Sequence, residues 1–158
     1  NQNGGMQIPM WDKVKETVMY LKSKGYRVDG IGWQGHLMNN QGLKQLVENL
    51  DEELKKLSDL IDWAHSNNLE FHITELDYYN DGENNIFNSV DKQAEVYQKL
   101  MNLSQEKSKN GLVTVNFWSM GERKSNRGKK GHYMSIYDND TIPTKTYEVV
   151  KKFINFNQ

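Results

Sequence analysis

The chain has 158 residues, and its 20 basic and 21 acidic side chains give a formal net charge of −1. A charge so close to zero does not match the basic surface expected of a nucleic-acid-binding protein. The absence of cysteine excludes disulfides and thiolate metal sites. No apolar run approaches the ~20 residues of a membrane span. The first residues show neither an initiator Met nor the features of a signal peptide, so we expect an excerpt of a longer polypeptide.

The N-terminal third predicts a helix followed by a strand. Apolar residues recur at steps of three and four before Gly25, a helix stop signal, and the inward positions of this helix are Trp11, Val14, Val18 and Leu21. The segment 28–36 predicts a strand. Its three glycines suggest a bulge or a close backbone approach, and they are Gly30, Gly32 and Gly35.

The middle of the chain repeats this order. The clearest helix has one apolar stripe, made of Leu50, Leu54, Leu57, Leu60, Ile61 and Ala64. Asn49, with Glu52 three residues later, predicts an N-terminal cap for it. Residues 69–77 predict a second strand, and alternation places four side chains on one of its faces: Phe71, Ile73, Glu75 and Asp77. A polar loop, 80–88, follows.

The C-terminal part predicts a helix, a strand and a final helix. The first helix starts near Asp91 and ends before Gly111, with inward positions at Ala94, Tyr97, Leu100, Met101 and Ser104. The strand is 112–120, and the cationic segment 123–130 that follows is predicted to be a solvated loop rather than a phosphate site. Pro143 precedes the last helix, whose apolar residues are Tyr147, Val150, Phe153 and Ile154.

The alternation of helices and strands indicates parallel strands joined by crossover helices. Both an open Rossmann-type sheet and a (β/α)8 barrel fit this order, but no G-x-G-x-x-G follows a strand. Polar and aromatic residues end all three strands, as the active sites of barrels require. Because three strands cannot close a barrel of eight, we expect the missing strands to come from another polypeptide or from residues outside this chain.

Two carboxylates at a strand end are the main candidates for chemistry. Glu75 and Asp77 are two residues apart, so both side chains point to one face, where their repulsion would favour a bridging cation. His36, at the end of the neighbouring strand, is the predicted mediator: a hydrogen bond with Asp77 would orient its ring and leave Glu75 ionised and free. The alternative is that Glu75 caps a helix or pairs with a lysine at the rim.

The other histidines predict no second site. His72 has the opposite parity from Glu75 and is expected to face the helix layer. His65 is expected to lie on the surface near a helix end, and His132 is expected to lie in the long loop. No pair has the H-x-x-x-H spacing and no G-x-S-x-G occurs, so we expect neither a metal, a cofactor nor a serine nucleophile.

Two interpretations are possible for Trp118, which lies at the end of the third predicted strand. Its ring is either a platform for a sugar or a part of the core. Tyr78, Tyr79 and the Asn and Gln residues of the loops add neutral hydrogen-bonding capacity, which suits a polyhydroxylated substrate but is also common in ordinary loops.

Three segments together resemble the motifs of glycoside hydrolase family 10, the xylanases. Residues 29–37 read Asp-Gly-Ile-Gly-Trp-Gln-Gly-His-Leu, as in the sixth strand of the family, and residues 73–77 read Ile-Thr-Glu-Leu-Asp, as in the seventh. Residues 113–119, Val-Thr-Val-Asn-Phe-Trp-Ser, resemble the eighth, and residues 143–147 loosely match the Lys-Pro-x-Tyr before the last helix. The resemblance implies that residues 1–158 are the C-terminal half of the catalytic domain, with three strands and four helices of a (β/α)8 barrel.

The resemblance also implies a role for each candidate residue. Glu75 would be the nucleophile of a retaining mechanism, in which a second carboxyl about 5–5.5 Å away protonates the leaving oxygen. Gln34 and His36 would line the subsite at the cleaved bond, and Asp77 would orient His36. Trp118 would form the floor of the sugar-binding cleft.

Two departures from the family pattern limit these expectations. The acid/base carboxyl belongs to an Asn-Glu pair after the fourth strand, which has no counterpart here, so the chain is expected to be inactive alone. The family's second cleft tryptophan is also missing, and Arg123 or Arg127 would occupy that side.

The resemblance thus predicts a secreted enzyme that cleaves internal β-1,4 bonds of xylan or xylooligosaccharides. Its partner would be the N-terminal half of the barrel, with no nucleic acid and no membrane involved. The alternatives are a related β-glycanase and a non-catalytic or inactive glycan-binding half-barrel.

Overall fold

The computed structural model describes residues 8–37, 47–80, 89–118, 120, 123–124, 132–134, 136–137 and 142–155. The helices in this part of the chain are α1 (Ile8–Ser23), α2 (Leu50–Ser66), α3 (Val90–Lys107) and α4 (Lys145–Asn155). The strands are β1 (Gly30–Trp33), β2 (His36–Leu37), β3 (Glu70–Asn80), β4 (Val113–Phe117), β5 (Arg123–Lys124) and β6 (His132–Met134). The described residues include no helix long and apolar enough to cross a membrane.

The predicted helices are all present, but their caps differ from the prediction. The Asn49 side chain makes no capping hydrogen bond to α2, so that prediction is wrong. The next helix, α3, has an N-terminal cap that was not predicted. The hydroxyl of Ser89 accepts a hydrogen bond of 3.0 Å from the backbone N–H of Lys92. In the last helix Val150 is buried, whereas Ile154 is half exposed and lies outside the core.

Three parallel strands form the sheet that supports the site. The central strand β3 pairs with β1 on one side and with β4 on the other. Ile31, Phe71 and Val113 are aligned across these strands and face the core with apolar residues of α2 and α3. This arrangement confirms the predicted parallel sheet with crossover helices.

The opposite face of the sheet is polar and has small residues. Gly32, His72 and Thr114 are aligned across the three strands on this face, and none of them is buried. His72 Nδ1 lies 2.8 Å from the Thr114 hydroxyl, so the prediction that His72 faces the helix layer is wrong. Gly30 permits close packing here, because an added Cβ would lie 3.1 Å from His72 Nε2.

A bulge in β3 changes which side chains share a face. Ile73 pairs with Val115 and Leu76 pairs with Phe117, so three steps along β3 match two along β4. Phe71 and Ile73 are buried before the bulge and Leu76 after it. Simple alternation, which put Glu75 on the face of Phe71 and Ile73, is therefore wrong: the bulge turns Glu75 and Asp77 away from that core.

A short antiparallel hairpin extends the C-terminal end of β3. Strand β6 pairs with residues 78–80 of β3, and β5 pairs with β6. Arg123 begins β5, whereas Arg127 and most of the predicted loop 80–88 lie outside the described residues. The described part of the cationic segment, residues 123–124, is thus a strand rather than the predicted loop, and its backbone lies near the strand end that carries the two carboxylates.

Candidate active site

The strand predicted at 28–36 is interrupted, and this interruption positions His36. Strand β1 ends at Trp33, and Gly35 has a φ of +81°, a left-handed conformation that favours glycine. The chain then pairs again with β3 as β2, where His36 is aligned with Asp77. Backbone N–H groups of β3 donate to this segment, from Glu75 to the Gln34 carbonyl at 2.8 Å and from Asp77 to that of Gly35 at 3.4 Å.

His36 bridges the two carboxylates. Its Nδ1 lies 2.9 Å from Asp77 Oδ1, and its Nε2 lies 3.1 Å from Glu75 Oε2. A neutral imidazole carries one N–H, so both contacts are hydrogen bonds to carboxylates only when the ring holds two protons. The predicted contact with Asp77 is present, but Glu75 is not free as predicted. Its second oxygen, Oε1, accepts a hydrogen bond from Gln34 Nε2 at 3.4 Å.

Solvent access separates the two carboxylates. The Asp77 side chain is 3% exposed, that of His36 is 16% exposed and that of Glu75 is 25% exposed. A ligand on the open side of the strand end can therefore reach Glu75 but not Asp77. This gradient suits Glu75 to contact a substrate and Asp77 to orient His36 from behind.

Trp118 lies one residue beyond β4, beside His36. Its backbone N–H donates to the Leu76 carbonyl at 3.1 Å, which holds the residue at the end of β3. The two rings meet edge to face with centroids 5.9 Å apart, and Trp118 is 51% exposed. An exposed ring does not fit plain core packing, and it offers a face to a ligand next to Glu75.

The charge of Asp77 also acts on a buried tyrosine that alternation did not associate with the site. Tyr97 of α3 is fully buried, and its pKa is raised above the ordinary value by burial first and by the charge of Asp77 second. Burial also raises the pKa of Tyr78, with a smaller contribution from the charge of Glu95. Tyr97 was predicted as an inward residue, but spacing within one helix gave no sign of its proximity to Asp77.

Of the remaining predicted histidines, the structure places His65 away from this site. His65, at the end of α2, is partly buried against Gly111: its Nε2 lies 3.4 Å from the Leu112 carbonyl, and an added Cβ on Gly111 would lie 2.5 Å from its ring. The side chains of His132 and Tyr79 lie outside the described residues. The described histidine that joins the carboxylates is thus His36.

Substitution of Gly35 by Ala is expected to destabilise the chain and displace His36. A left-handed alanine costs about 1–2 kcal/mol, and the added Cβ would lie 3.0 Å from Ile73 Cγ2. Gly25→Ala is the matched control, because Gly25 has a φ of +79° and nothing within 4 Å of its added Cβ. Urea unfolding should show a larger loss for Gly35→Ala than for Gly25→Ala, and equal losses would contradict the steric argument.

Comparison with known proteins places these motifs in a family. The family model described as Glycosyl hydrolase family 10 matches residues 6–153. Endo-1,4-beta-xylanase A of Thermoanaerobacterium saccharolyticum is 33% identical over 76% of this chain and 9% of its own length. The beta-1,4-xylanase of Dictyoglomus thermophilum is 27% identical over 90% of this chain and 41% of its own length.

Solved structures show the fold. Xylanase 10B of Thermotoga petrophila, in complex with xylobiose, has a TM-score of 0.65 at 23% identity, covering 91% of this chain and 41% of that protein. The family 10 xylanase of Thermobacillus composti has a TM-score of 0.68 at 23% identity, covering 90% and 47%. The chain therefore has the fold of the C-terminal part of a (β/α)8 barrel and spans less than half the length of these proteins.

Proposed function

Because the chain belongs to glycosyl hydrolase family 10, we propose that it supplies the nucleophile half of a retaining endo-β-1,4-xylanase. The observation that carries this proposal is the partly exposed Glu75 carboxylate at the end of a parallel strand, bonded to both Gln34 and His36. The C-terminal ends of the strands are where the active sites of (β/α)8 barrels lie.

Glu75 is the nucleophile in this mechanism. One of its oxygens attacks the anomeric carbon as the bond to the leaving oxygen breaks, and a glycosyl ester forms. Water then displaces the carboxylate and restores the original anomeric configuration. The hydrogen bonds from Gln34 and His36 hold the carboxylate in one orientation, so little rearrangement is needed before attack.

The acid/base carboxyl comes from outside these 158 residues. A retaining site needs a second carboxyl about 5–5.5 Å from the nucleophile. Asp77 does not suit this role, because its side chain is buried behind His36 and faces the imidazole rather than the open side. The polar, uncovered face of the sheet fits a barrel completed by further strands, which would bring the second carboxyl.

The substrate of the completed site is xylan or xylooligosaccharides. The half-exposed Trp118 ring provides a flat apolar surface for a sugar, while Gln34 and His36 provide polar contacts beside it. These groups suit a neutral, polyhydroxylated chain. A polysaccharide of this kind is met outside the cell, so we propose that the protein acts after export.

The proposal is tested with an assembled barrel, made by joining this chain to the N-terminal part of Thermotoga petrophila xylanase 10B that the structural match leaves uncovered. We expect it to hydrolyse xylan with retained configuration, measured by NMR of the newly formed reducing ends. The chain alone should be at least about 10²-fold slower, because general acid catalysis contributes about 10²–10⁴-fold. A folded assembled barrel that cleaves no β-glycan would overturn the proposal.

A further inference from the structure

The bulge in β3 contains the proposed nucleophile and the residue before it. The three steps from Ile73 to Leu76 match two steps along β4, so Thr74 and Glu75 together occupy the place of one residue. Both are partly buried, between the buried side chains of Ile73 and Leu76. A bulge turns the side chains that it carries, so any contact that holds this bulge also sets the direction of Glu75.

The Thr74 side chain fastens the bulge to the end of β1. Its hydroxyl donates to the carbonyl of Trp33, the last residue of β1, at 3.3 Å. The backbone N–H of Glu75 donates to the next carbonyl, that of Gln34, at 2.8 Å. Two successive carbonyls of one segment thus hold two successive residues of the bulge. Because Thr74 is branched at Cβ, its χ1 rotation is restricted, and the hydroxyl is held in this direction.

The methyl group of Thr74 has a close neighbour of its own, Gly32. An added Cβ on Gly32 would lie 3.1 Å from Thr74 Cγ2, which is closer than the ~3.5–4.0 Å of a good contact between carbons. The backbone of Gly32 does not itself require glycine, because the described glycines with a positive φ are Gly25 and Gly35. The missing side chain at Gly32 therefore leaves the space in which the Thr74 methyl group lies.

We propose that Thr74 is a positioning residue for the nucleophile. Its hydroxyl and its methyl group fix the bulge, and the bulge directs the adjacent Glu75 carboxylate to its two partners. These are Gln34 Nε2, 3.4 Å from Glu75 Oε1, and His36 Nε2, 3.1 Å from Glu75 Oε2. The effect on turnover rests on the proposed function, whereas the effect on the contacts of Glu75 does not.

Substitution of Thr74 by Val in the assembled barrel removes the hydroxyl and keeps the branched shape. We expect kcat on xylotetraose to fall about tenfold, which corresponds to about 1.4 kcal/mol, because the reacting carboxylate is misplaced. KM should stay within about twofold, since the hydroxyl is bonded within the sheet. Thr74→Ser keeps the hydroxyl and should retain kcat within about twofold of the parent barrel. Thr114→Val is the matched control, because that threonine hydroxyl on the neighbouring strand contacts His72 instead.

The contact with Gly32 gives an independent test. Gly32→Ala adds a methyl group against that of Thr74 and removes no hydrogen-bonding group, so we expect kcat to fall by a similar factor. Serine lacks Cγ2, so Thr74→Ser in the Gly32→Ala background should relieve the crowding and return kcat to within about threefold of the parent. Gly30→Ala is the matched control, because its Cβ would lie 3.0 Å from the Glu70 carbonyl, at the opposite end of β1 from Glu75. It should lower stability without lowering kcat.

A spectroscopic measurement separates positioning from a loss of stability. The ¹⁵N chemical shift of His36 Nε2 reports the contact with Glu75 and needs no turnover. Thr74→Val and Gly32→Ala should both move this shift, whereas Thr74→Ser and Thr114→Val should leave it unchanged. Urea unfolding of the same variants measures their stability separately. If Thr74→Val fails to fold, Gly32→Ala and its rescue by Thr74→Ser still test the role of the bulge.

The outcomes distinguish the inference from the proposed function. A moved Nε2 shift in a Thr74→Val barrel whose parent cleaves no glycan would support the positioning role and overturn the enzymatic one. An active barrel in which Thr74→Val has the same kcat and the same Nε2 shift as Thr114→Val would overturn the positioning role alone. Failure of Thr74→Ser to restore the activity of Gly32→Ala would likewise overturn it.

Discussion

Replacement of Glu75 by Gln in the assembled barrel is expected to lower kcat on xylan by roughly 10⁴–10⁶-fold, the range found when single members of a catalytic triad are removed. The amide cannot form the glycosyl ester, but it is nearly the same size as the carboxylate. It also keeps an oxygen that can accept from Gln34 or His36. Binding of xylooligosaccharides, measured by calorimetry, should therefore remain within about threefold of the parent barrel.

The matched control for this loss is Glu70→Gln. Glu70 lies on the same strand, but at its N-terminal end, where its side chain is 47% exposed. The same change of charge there should leave kcat within about twofold, since surface substitutions away from special features have small effects. A Glu75→Gln barrel with a near-normal rate would remove Glu75 from the mechanism.

Replacement of His36 by Ala is expected to have the second largest effect, on both stability and turnover. Asp77 would lose its imidazole partner while its side chain stays buried, which costs about 1.5–3 kcal/mol of the free energy of unfolding. Glu75 would lose the donor at Oε2, and a misplaced reacting group costs about 10²-fold in kcat/KM. Urea unfolding and steady-state kinetics measure the two losses separately.

A double-mutant cycle isolates the contribution of the His36–Asp77 pair. If the pair is coupled, Asp77→Asn should cost less stability in the His36→Ala background than in the parent, with a coupling of about 1–3 kcal/mol. His72→Ala is the matched control, because it removes an imidazole that contacts the Thr114 hydroxyl and the half-exposed carboxylate of Glu70 rather than a buried carboxylate. Additive losses at His36 and Asp77 would show that their contact does not contribute to stability.

The helices and the order of strands were predictable from local pattern. The apolar stripe at Leu57, Leu60 and Ile61 gave α2, and all three of these residues are buried. The stop at Gly25 was predictable because its left-handed backbone favours glycine. Ser is among the strongest capping residues, but the cap at Ser89 was not predicted. The apolar pattern placed the start of the helix near Asp91, two residues after Ser89.

The residues that form the site could be predicted from the sequence, but the arrangement of their side chains could not. Glu75, Asp77 and His36 were identified together because parallel strands bring their C-terminal ends to one edge of a sheet. The bulge in β3 was not assigned, since it depends on how β3 pairs with its neighbours. The glycines of the segment 28–36 suggested a bulge or a close approach, but they did not locate the turn at Gly35. As a result, Glu75 was wrongly placed on the face of Phe71 and Ile73, and His72 was wrongly placed against the helix layer.

Residues and spacing by themselves determined the parallel strands, the strand-end cluster and the resemblance to family 10. Each follows from patterns within single segments, together with the rule that parallel strands end at one edge of a sheet. Only the tertiary structure decided that His36 bonds Glu75 as well as Asp77. Those contacts join residues far apart in sequence, on neighbouring strands. Their geometry depends on a one-residue bulge whose shift turns every later side chain to the other face.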